Sequence, residues 1–317
     1  MSAPSAAASS LRETPTDIQQ MLTSLSVRKR RHVGAIIGGA ALAILVIMFG
    51  IDVATNPAFG WEVVTDYLFS PQILQGVWLT IVMTVVSMTA GIGLGIVLAI
   101  MRVSTNPVFA TVSRAYVWFF RGTPLLVQLI FWYNIGALYP VIALGLPLGG
   151  PSIVLGSANV LITPLAAALL GLSLNEAAYM AEIIRSGISS VEPGQLDAAK
   201  AIGMTRRTMM RRVILPQAMR IVIPPTGNQV ISMLKGTSLV SVLAITDLLY
   251  AAQTIYALNY QTIPLLLVAC VWYLVMTTAL TAVQARLEAR FGRGFAPRKT
   301  ARGKSVRTNA QNQEESA

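Results

Sequence analysis

One lysine lies inside an otherwise apolar stretch of this chain, and its position has a clear chemical consequence. Lys235 falls within about 221–245, where most neighbouring residues are uncharged. An ammonium group within a membrane is costly, so it should face water or the interior of a helix bundle and have a partner. Glu176 or Glu182 could form a packing ion pair with it. Alternatively, Lys235 could lie near a helix end and extend its side chain to the interface.

Other polar side chains share the apolar stretches and could form a site with Lys235. Asn228 and Thr237 could bind a ligand through hydrogen bonds, or they could satisfy backbone groups freed by two adjacent prolines. Glu176 and Tyr179 could line a cavity, or they could fix their helix against its neighbours. For each pair, the sequence leaves both alternatives open.

The residue types that carry most enzyme chemistry are missing. The chain has one cysteine, Cys270, and one histidine, His32, so it offers no cluster for a catalytic metal and no nucleophile paired with a base. The phosphate-binding pattern G-x-x-x-x-G-K-[ST] does not occur. We therefore predict that the chain is not an enzyme and holds no cofactor of its own. Energy for any driven process must come from another polypeptide.

Composition places the chain in a membrane. Of its 317 residues, 54% are hydrophobic and only 12% are charged, and the mean hydropathy is +0.63. Soluble domains have roughly 25% charged residues. Apolar runs of about twenty residues, the length that crosses a bilayer, predict an all-α protein with six transmembrane helices. They lie at about 33–51, 73–100, 124–142, 161–184, 221–245 and 264–283. The stretches 102–121, 145–157 and 247–262 are predicted to be connections.

The basic residues predict the orientation. All 24 Lys and Arg residues except Lys235 fall in the N-terminal tail, in 102–121, in 185–220 or in the C-terminal tail. Six crossings place these four regions on one side, which the positive-inside rule assigns to the cytoplasm together with both termini. The net charge of +11 is then a topology signal next to membrane lipid. Because no aromatic residues alternate with the basic ones, we predict no nucleic-acid partner.

A polar and basic segment, 191–220, interrupts the apolar pattern. Its first helix is predicted to end at Gly203, which can adopt the left-handed conformation, and Thr205 is predicted to cap a second helix. Pro216, and further on the pair 224–225, are predicted to interrupt the helix. Apolar residues on a short exposed helix need a groove to fill. We therefore predict docking of a soluble partner, the alternative being a solvated loop that only sets orientation.

The spacing within this segment carries a resemblance. Asp197-Ala198-Ala199 is followed after three residues by Gly203, and after nine more by Val213-Ile214-Leu215-Pro216. This resembles the EAA signature of bacterial ABC-importer permeases, with Asp197 in place of Glu and Val213 in place of Ile. The resemblance implies that the first short helix sits in a cleft of an ATP-binding subunit. The coupling residues it implies are Asp197, Ala198, Ala199, Gly203, Met204, Leu215 and Pro216.

Three further stretches resemble the polar amino-acid uptake branch of that family. They are Arg121-Gly-Thr-Pro-Leu-Leu-Val-Gln128, Ala178-Tyr-Met-Ala-Glu182 with Arg185-Ser-Gly187, and Lys235-Gly-Thr-Ser-Leu239. Arg121 itself is interpreted as an orientation charge at a helix start, where Thr123 caps and Pro124 occupies the first turn. The resemblance implies a permease domain over 73–289 with a coupling loop at 190–220. An extra helix at 33–52 and tails at 1–32 and 290–317 lie outside it.

The resemblance also implies a function and a set of partners. It implies import of a polar amino acid by alternating access in the inner membrane of a bacterium. ATP and Mg²⁺ would bind two copies of a separate ABC ATP-binding subunit, and an extracytoplasmic solute-binding protein would deliver the substrate. A second permease chain, identical or different, would complete the pathway. Lys235 would meet the carboxylate of the substrate, and the pathway would also include Asn228, Thr237, Glu176 and Tyr179.

Two other functions remain as alternatives. An ion-coupled secondary transporter would need inverted repeats and several acids within the membrane, whereas no repeat is visible and at most two such acids occur, Glu176 and Glu182. A membrane anchor that recruits a cytoplasmic ATPase without transporting anything would share the docking segment. It would have no need for Lys235.

Overall fold

The computed structural model describes residues 33–145 and 152–291, which are mostly helical. The tail predicted at 1–32 lies outside the described residues, as does the C-terminal tail beyond Phe291. The helices are α1 (Val33–Thr55), α2 (Trp61–Leu68), α3 (Pro71–Arg102), α4 (Pro107–Gly122), α5 (Leu125–Tyr133), α6 (Ala158–Leu161), α7 (Pro164–Ser189), α8 (Pro193–Ala201), α9 (Arg206–Met209), α10 (Leu215–Gly236), α11 (Leu248–Asn259) and α12 (Thr262–Phe291). Short 3-10 helices span Pro57–Phe59, Ile135–Ala137 and Thr237–Leu243, and a π turn spans Met210–Ile214.

The described part of the chain contains four helices that are long and apolar enough to cross a membrane. They are Ile37–Thr55 within α1, then α3, α7, and Thr262–Arg290 within α12. A fifth crossing is available if the segment Arg206–Leu243 and α11, which meet at a bend of 45°, form one span. The prediction of one continuous spanning helix at 124–142 is wrong. The helix α5 has only nine residues, and a 3-10 helix and a strand follow it.

The residues up to Phe59 form one compact unit and those from Gly60 onward another. Within the first unit, α1 is a single 23-residue helix. None of its spanning window is buried, so its apolar side chains are free to contact lipid. Within the second unit, a small apolar cluster joins α3 to α4 and α7, and two larger ones hold the rest of the bundle. One joins α3 to α11 and α12, and the other joins α3 to α5, α7 and the 3-10 helix after α10.

Glycines allow a close helix contact between α3 and α7. A Cβ atom on Gly91 would lie 2.8 Å from the Cβ of Glu176, and one on Gly95 would lie 2.6 Å from the Cβ of Met180. Small residues let two membrane helices approach in this way. Since the later glycine meets the later residue of α7, the two helices run in the same direction.

Between them, α4 and α5 run in the opposite direction and meet at a bend. Phe120, near the end of α4, has a carbonyl oxygen that accepts hydrogen bonds from the side-chain amides of Gln128 and Asn175, each at 3.0 Å. Gln128 Nε2 also donates to the Thr123 hydroxyl at 2.7 Å. The predicted helix start is therefore corrected: Pro124 stands in the cap position and Thr123 makes no cap hydrogen bond to α5.

The loop predicted at 145–157 is partly a β-hairpin. β1 (Val141–Gly145) pairs antiparallel with β2 (Ser152–Ser157), with Val141 opposite Ser157 and an irregularity between Ile142 and Ala143. Residues 146–151 lie outside the described residues. Alternating side chains in an uncharged stretch gave no strong strand signal, so the pairing went unpredicted.

The predicted breaks in the fifth segment are also corrected. α10 continues through Pro224 and Pro225. The hydroxyl of Thr226 donates to the Val222 carbonyl at 2.8 Å and the Gln284 amide donates to the Pro224 carbonyl at 3.4 Å. The two prolines lack the N–H groups that would donate to the carbonyls of residues 220 and 221, so these side-chain hydrogen bonds add contacts near the prolines without replacing the missing ones. Pro216 likewise falls in the first turn of α10, where proline is tolerated.

The connection predicted at 247–262 is instead mostly helix, because α11 occupies it. Asp247 is fully buried and caps α11 by accepting hydrogen bonds from the backbone of Tyr250 at 2.9 Å and of Leu249 at 3.3 Å. The hydroxyl of Tyr273 also donates to Asp247 at 3.3 Å. The sequence did not indicate that Asp247 is a third acid within the bundle, because the residue begins a polar stretch that was predicted to be a loop.

Candidate functional site

The polar segment between α7 and α10 begins with α8, which ends in a left-handed turn as predicted. Gly203 has φ +75°. Its backbone N–H donates to the Lys200 carbonyl at 2.9 Å, and the N–H of Met204 donates to the Ala199 carbonyl at 3.0 Å. This pair of hydrogen bonds closes a helix with a Schellman motif, in which glycine is favoured because it lacks a Cβ atom.

The surface of α8 is open to a partner. Asp197 and Ala198 are exposed, and Asp197 accepts a hydrogen bond from the exposed Lys200 at 2.9 Å. Ile202, which follows α8, is 73% exposed. Ala199 is buried and Met204 half-buried, so these two residues of the predicted coupling set support the turn rather than its outer face. A short helix with an exposed apolar tip is suited to a groove on another protein.

A continuous helical rod connects this turn to the membrane. The Thr205 hydroxyl accepts a hydrogen bond from the Thr208 backbone, which confirms the predicted N-cap. α9 then passes through the π turn into α10 with Leu215 and Pro216 exposed. The predicted second helix, 206–215, is thus only its first part.

Two contacts tie this rod to the elements before it. The side-chain amide of Gln217 on α10 donates to Gln195 of α8 at 2.5 Å. At the end of α7, a Cβ atom on Gly187 would lie 3.1 Å from the carbonyl oxygen of Ala218. The first contact joins α8 to α10, and the second joins α10 to the end of α7.

The predicted pathway residues of the fifth segment do not form one cluster. Lys235 is exposed and has no carboxylate within 4.0 Å among the described residues, so neither predicted ion pair forms. Asn228 is exposed, and its side-chain oxygen accepts from Gln284 at 3.1 Å. Thr237 is fully buried, and its hydroxyl donates to the Leu234 carbonyl at 2.8 Å. Thr237 therefore satisfies the backbone at the end of α10.

The predicted residues of α7 lie at the middle of the bundle. Glu176 is 4% exposed, and its Oε1 atom has no hydrogen-bond partner. Gln229 of α10 interacts with the same carboxyl group. One turn along, Tyr179 is half-buried, and the guanidinium carbon of Arg121 lies 5.1 Å from the centre of its ring.

A group of arginines near Tyr179 was missed. Glu182 accepts two hydrogen bonds from Arg185, at 3.0 and 2.5 Å, and also interacts electrostatically with Arg102 and Arg121. The sequence signal was present, since Arg121 precedes the Gly-Thr-Pro bend, but it was interpreted as an orientation charge. Its proximity to α7 depends on the return of α4 against that helix, which no local pattern encodes.

No three metal-binding side chains come together within residues 33–145 and 152–291. What the geometry does provide is an exposed short helix, α8, a helical rod that joins it to α10, and buried polar side chains in several helices. These features suit movement of a solute across the membrane.

Known proteins share this arrangement. Residues 91–293 match the family described as binding-protein-dependent transport system inner membrane component. The arginine transport system permease protein ArgU of Corynebacterium glutamicum is 43% identical over 279 residues, 88% of this chain and 86% of that protein. The L-cystine transport system permease protein TcyB of Bacillus subtilis is 37% identical over 237 residues, 74% of this chain and 93% of that protein.

Solved structures agree with these relatives. A crystal structure of an amino acid ABC transporter with histidines contains a chain of 34% identity that aligns with a TM-score of 0.59 over 70% of this chain and 95% of that one. An inward-facing MetNI methionine ABC transporter aligns with a TM-score of 0.55 at 18% identity, over 69% of this chain and 96% of that one, and so shares the fold. The chain therefore belongs to the family of binding-protein-dependent transport system inner membrane components, which are multi-pass membrane proteins.

Proposed function

We propose that this chain is the permease subunit of an ATP-driven importer and that it translocates a polar amino acid. The observation that carries the proposal is the exposed helix α8 with its glycine-closed turn, joined to the membrane by one helical rod. The sequence has no phosphate-binding loop. ATP and Mg²⁺ therefore belong on a separate subunit that docks at α8.

The relatives support an amino acid as the cargo. The names of two of them, ArgU and ArtQ, specify arginine, and that of TcyB specifies L-cystine. ArtQ of Bacillus subtilis is 35% identical over 69% of this chain and 92% of that protein. Arginine is accordingly the first substrate to test.

Six membrane crossings fit the packing. α3 and α7 run parallel, so the chain must return across the membrane between them, and α4 with α5 is the segment available to do so. Adding this bent crossing to α1, α3, α7, α12 and the bent pair that includes α10 gives six. Both termini and α8 then lie on the cytoplasmic side, where the basic residues concentrate.

Coupling follows the contacts of α8. Two ATP-binding subunits that close on ATP would draw the α8 helices of two permease chains together. The Gln195–Gln217 hydrogen bond and the Gly187–Ala218 contact would then move α10 and the end of α7. This favours the outward-open state, into which a solute-binding protein delivers substrate, and hydrolysis restores the inward-open state. ATP drives the cycle only through its preference for one state.

Substrate would pass along the polar side chains within the bundle. Lys235 toward the outer end of α10 is exposed without a counter-charge and can attract the substrate carboxylate. Glu176 and Tyr179 on α7 and Asn228 on α10 line the path further in. Thr237 supports the backbone that carries Lys235.

Reconstitution tests this function. We expect the chain, with its ATP-binding subunit and solute-binding protein in liposomes, to accumulate labelled L-arginine, L-glutamine or L-cystine only when ATP is present with the ATPase. Uptake by this chain alone, without ATP or ATPase, would contradict the proposal and establish a secondary transporter. ATPase recruitment with no uptake of any amino acid would establish an anchor.

A further inference from the structure

One face of α7 carries a line of polar side chains that the helix packing leaves partly open. Asn175, Tyr179, Glu182 and Ser186 follow at intervals of three or four residues and so share one side of the helix. The first three are half-buried and Ser186 is exposed. On a spanning helix, an open polar face must border water or another polar surface. This face therefore borders the pathway or its entrance.

The charges along this face do not balance. Three arginines, Arg102, Arg121 and Arg185, act on the one acid Glu182. Arg185 occupies that acid with two hydrogen bonds. Neither Arg102 nor Arg121 has a carboxylate within 4.0 Å in the described part of the chain. The cluster thus has two more positive than negative charges and can accept an anion.

Among these arginines, Arg121 is the one whose side chain is held in place to bind an anion. Its guanidinium lies over the ring of Tyr179 at 5.1 Å, yet its residue is exposed, so its N–H groups remain open. A guanidinium stacked on an aromatic face can still bind a carboxylate with two parallel hydrogen bonds.

The depth of Arg121 separates this role from that of an orientation charge. In the bent crossing that the proposed topology gives to α4 and α5, Arg121 lies at the bend between Pro107–Gly122 and Leu125–Tyr133, away from both ends. An arginine that only sets orientation belongs at the level of the headgroups. Arg121 therefore lies well inside the span, where charge is retained for a partner.

We propose that Arg121, held by Tyr179, binds the α-carboxylate of the transported amino acid in the cytoplasmic half of the pathway. The proposal rests on the proposed function and adds an inner anion site to the outer cation, Lys235. Substrate would pass from one cation to the other as the pathway changes access.

Direct binding tests this assignment without the selectivity of the solute-binding protein. The permease–ATPase complex in phosphatidylcholine nanodiscs is titrated with L-arginine and with agmatine, which lacks the α-carboxylate. We expect the wild-type complex to prefer L-arginine by about tenfold or more, the scale of a charge-assisted hydrogen bond. Arg121→Gln should lower the preference severalfold, the remainder coming from Lys235, and Arg121→Lys should retain more of it.

Matched variants separate binding from folding. Arg114→Gln changes another exposed arginine of α4, whose side chain donates to Thr111, and should leave the preference unchanged. Tyr179→Phe should bind L-arginine more tightly than Tyr179→Leu, because only the phenylalanine keeps a ring beneath the Arg121 guanidinium. A midpoint of thermal unfolding equal to that of the wild-type complex would show that Arg121→Gln is folded and assembled.

Three results would overturn the assignment. One is an unchanged preference for L-arginine in Arg121→Gln. Another is an equal loss in Arg114→Gln, which would indicate a general charge effect. The third is an Arg121→Gln effect seen only when anionic phosphatidylglycerol is present, which would identify a lipid phosphate as the ligand. Failure of the wild-type importer to accumulate any amino acid would contradict the proposed function instead.

Discussion

Gly203 shows how one residue can specify where a helix ends. Its φ of +75° lies in the region that a side chain disfavours, and no atom lies within 4 Å of where its Cβ would stand. Space is therefore available, and the backbone conformation alone requires glycine. The turn closes α8 and sets the direction in which the chain enters α9.

Replacement of Gly203 by proline should uncouple ATP hydrolysis from transport. Proline fixes φ near −65° and removes the N–H that donates to Lys200. We expect normal amounts of the variant in the membrane, continued ATP hydrolysis and loss of most uptake. The measurement is the ratio of amino acid imported to ATP hydrolysed in proteoliposomes.

Gly194 provides the control for this experiment. It lies in the first turn of α8, and a Cβ atom there would meet nothing within 4 Å. Gly194→Ala should leave the ratio close to that of the wild type. A normal ratio in Gly203→Pro would show that the turn has no part in coupling.

At the scale of helices, the glycine contact of α3 with α7 determines how closely the bundle packs. Gly95 faces Met180 directly, whereas the neighbouring Gly93 has no atom within 4 Å of its would-be Cβ. Gly95 thus lies on the packed side of α3, and Gly93 lies on its open side.

Gly95→Leu should therefore separate α3 from α7. Overpacking of this kind costs about 1–3 kcal/mol, and we expect a lower midpoint for thermal unfolding in detergent. Gly93→Leu, on the open side, should unfold at the wild-type temperature. Equal midpoints for both variants would show that the contact does not stabilise the bundle.

The sequence predicted the elements whose signals are local. The left-handed Gly203 and the cap by Thr205 depend on a few neighbouring residues, and both are confirmed. Long apolar runs predicted α3, α7 and α12. The bend between α4 and α5 was missed because neither half is long enough to span, and because their charges suggested a connection.

Tertiary contacts explain the other differences. Helix α10 continues through two prolines, and the hydrogen bond from Gln284 to the Pro224 carbonyl joins it to α12, a helix distant in sequence. Asp247 lies in the interior, where the hydroxyl of Tyr273, also from α12, donates a hydrogen bond to it. The site residues show the same limit: Lys235 was recognised from its apolar neighbours, whereas Arg121 required the packing of α4 on α7.

At the scale of the whole chain, the parallel contact of α3 and α7 predicts a topology that can be measured. Thr105, between α3 and α4, and Ser157, at the end of the hairpin, should lie on opposite sides of the membrane. In a Cys270→Ser background, Ser157→Cys should react with an impermeant maleimide in cells with a permeabilised outer layer and an intact inner membrane. Thr105→Cys should react only after the inner membrane is opened.

Labelling from the same side would contradict the crossing by α4 and α5. Asp66→Cys in α2 provides a reference for the outer side, and Glu192→Cys before α8 for the cytoplasmic side. Both lie outside the helices in question. Agreement of Ser157→Cys with Asp66→Cys completes the six crossings.

The π turn at Met210–Ile214 has a consequence for how motion reaches the substrate. A π turn holds about one residue more than an α turn, so it sets the rotational phase of α10 relative to α9. Each residue of an α-helix turns about 100° around the axis. Conversion or migration of this turn would therefore twist α10 and change the sector that Asn228 and Lys235 face. In the proposed coupling, such a change would turn a displacement of α8 into a screw rotation of α10 while the hydrogen bonds along α10 stay intact.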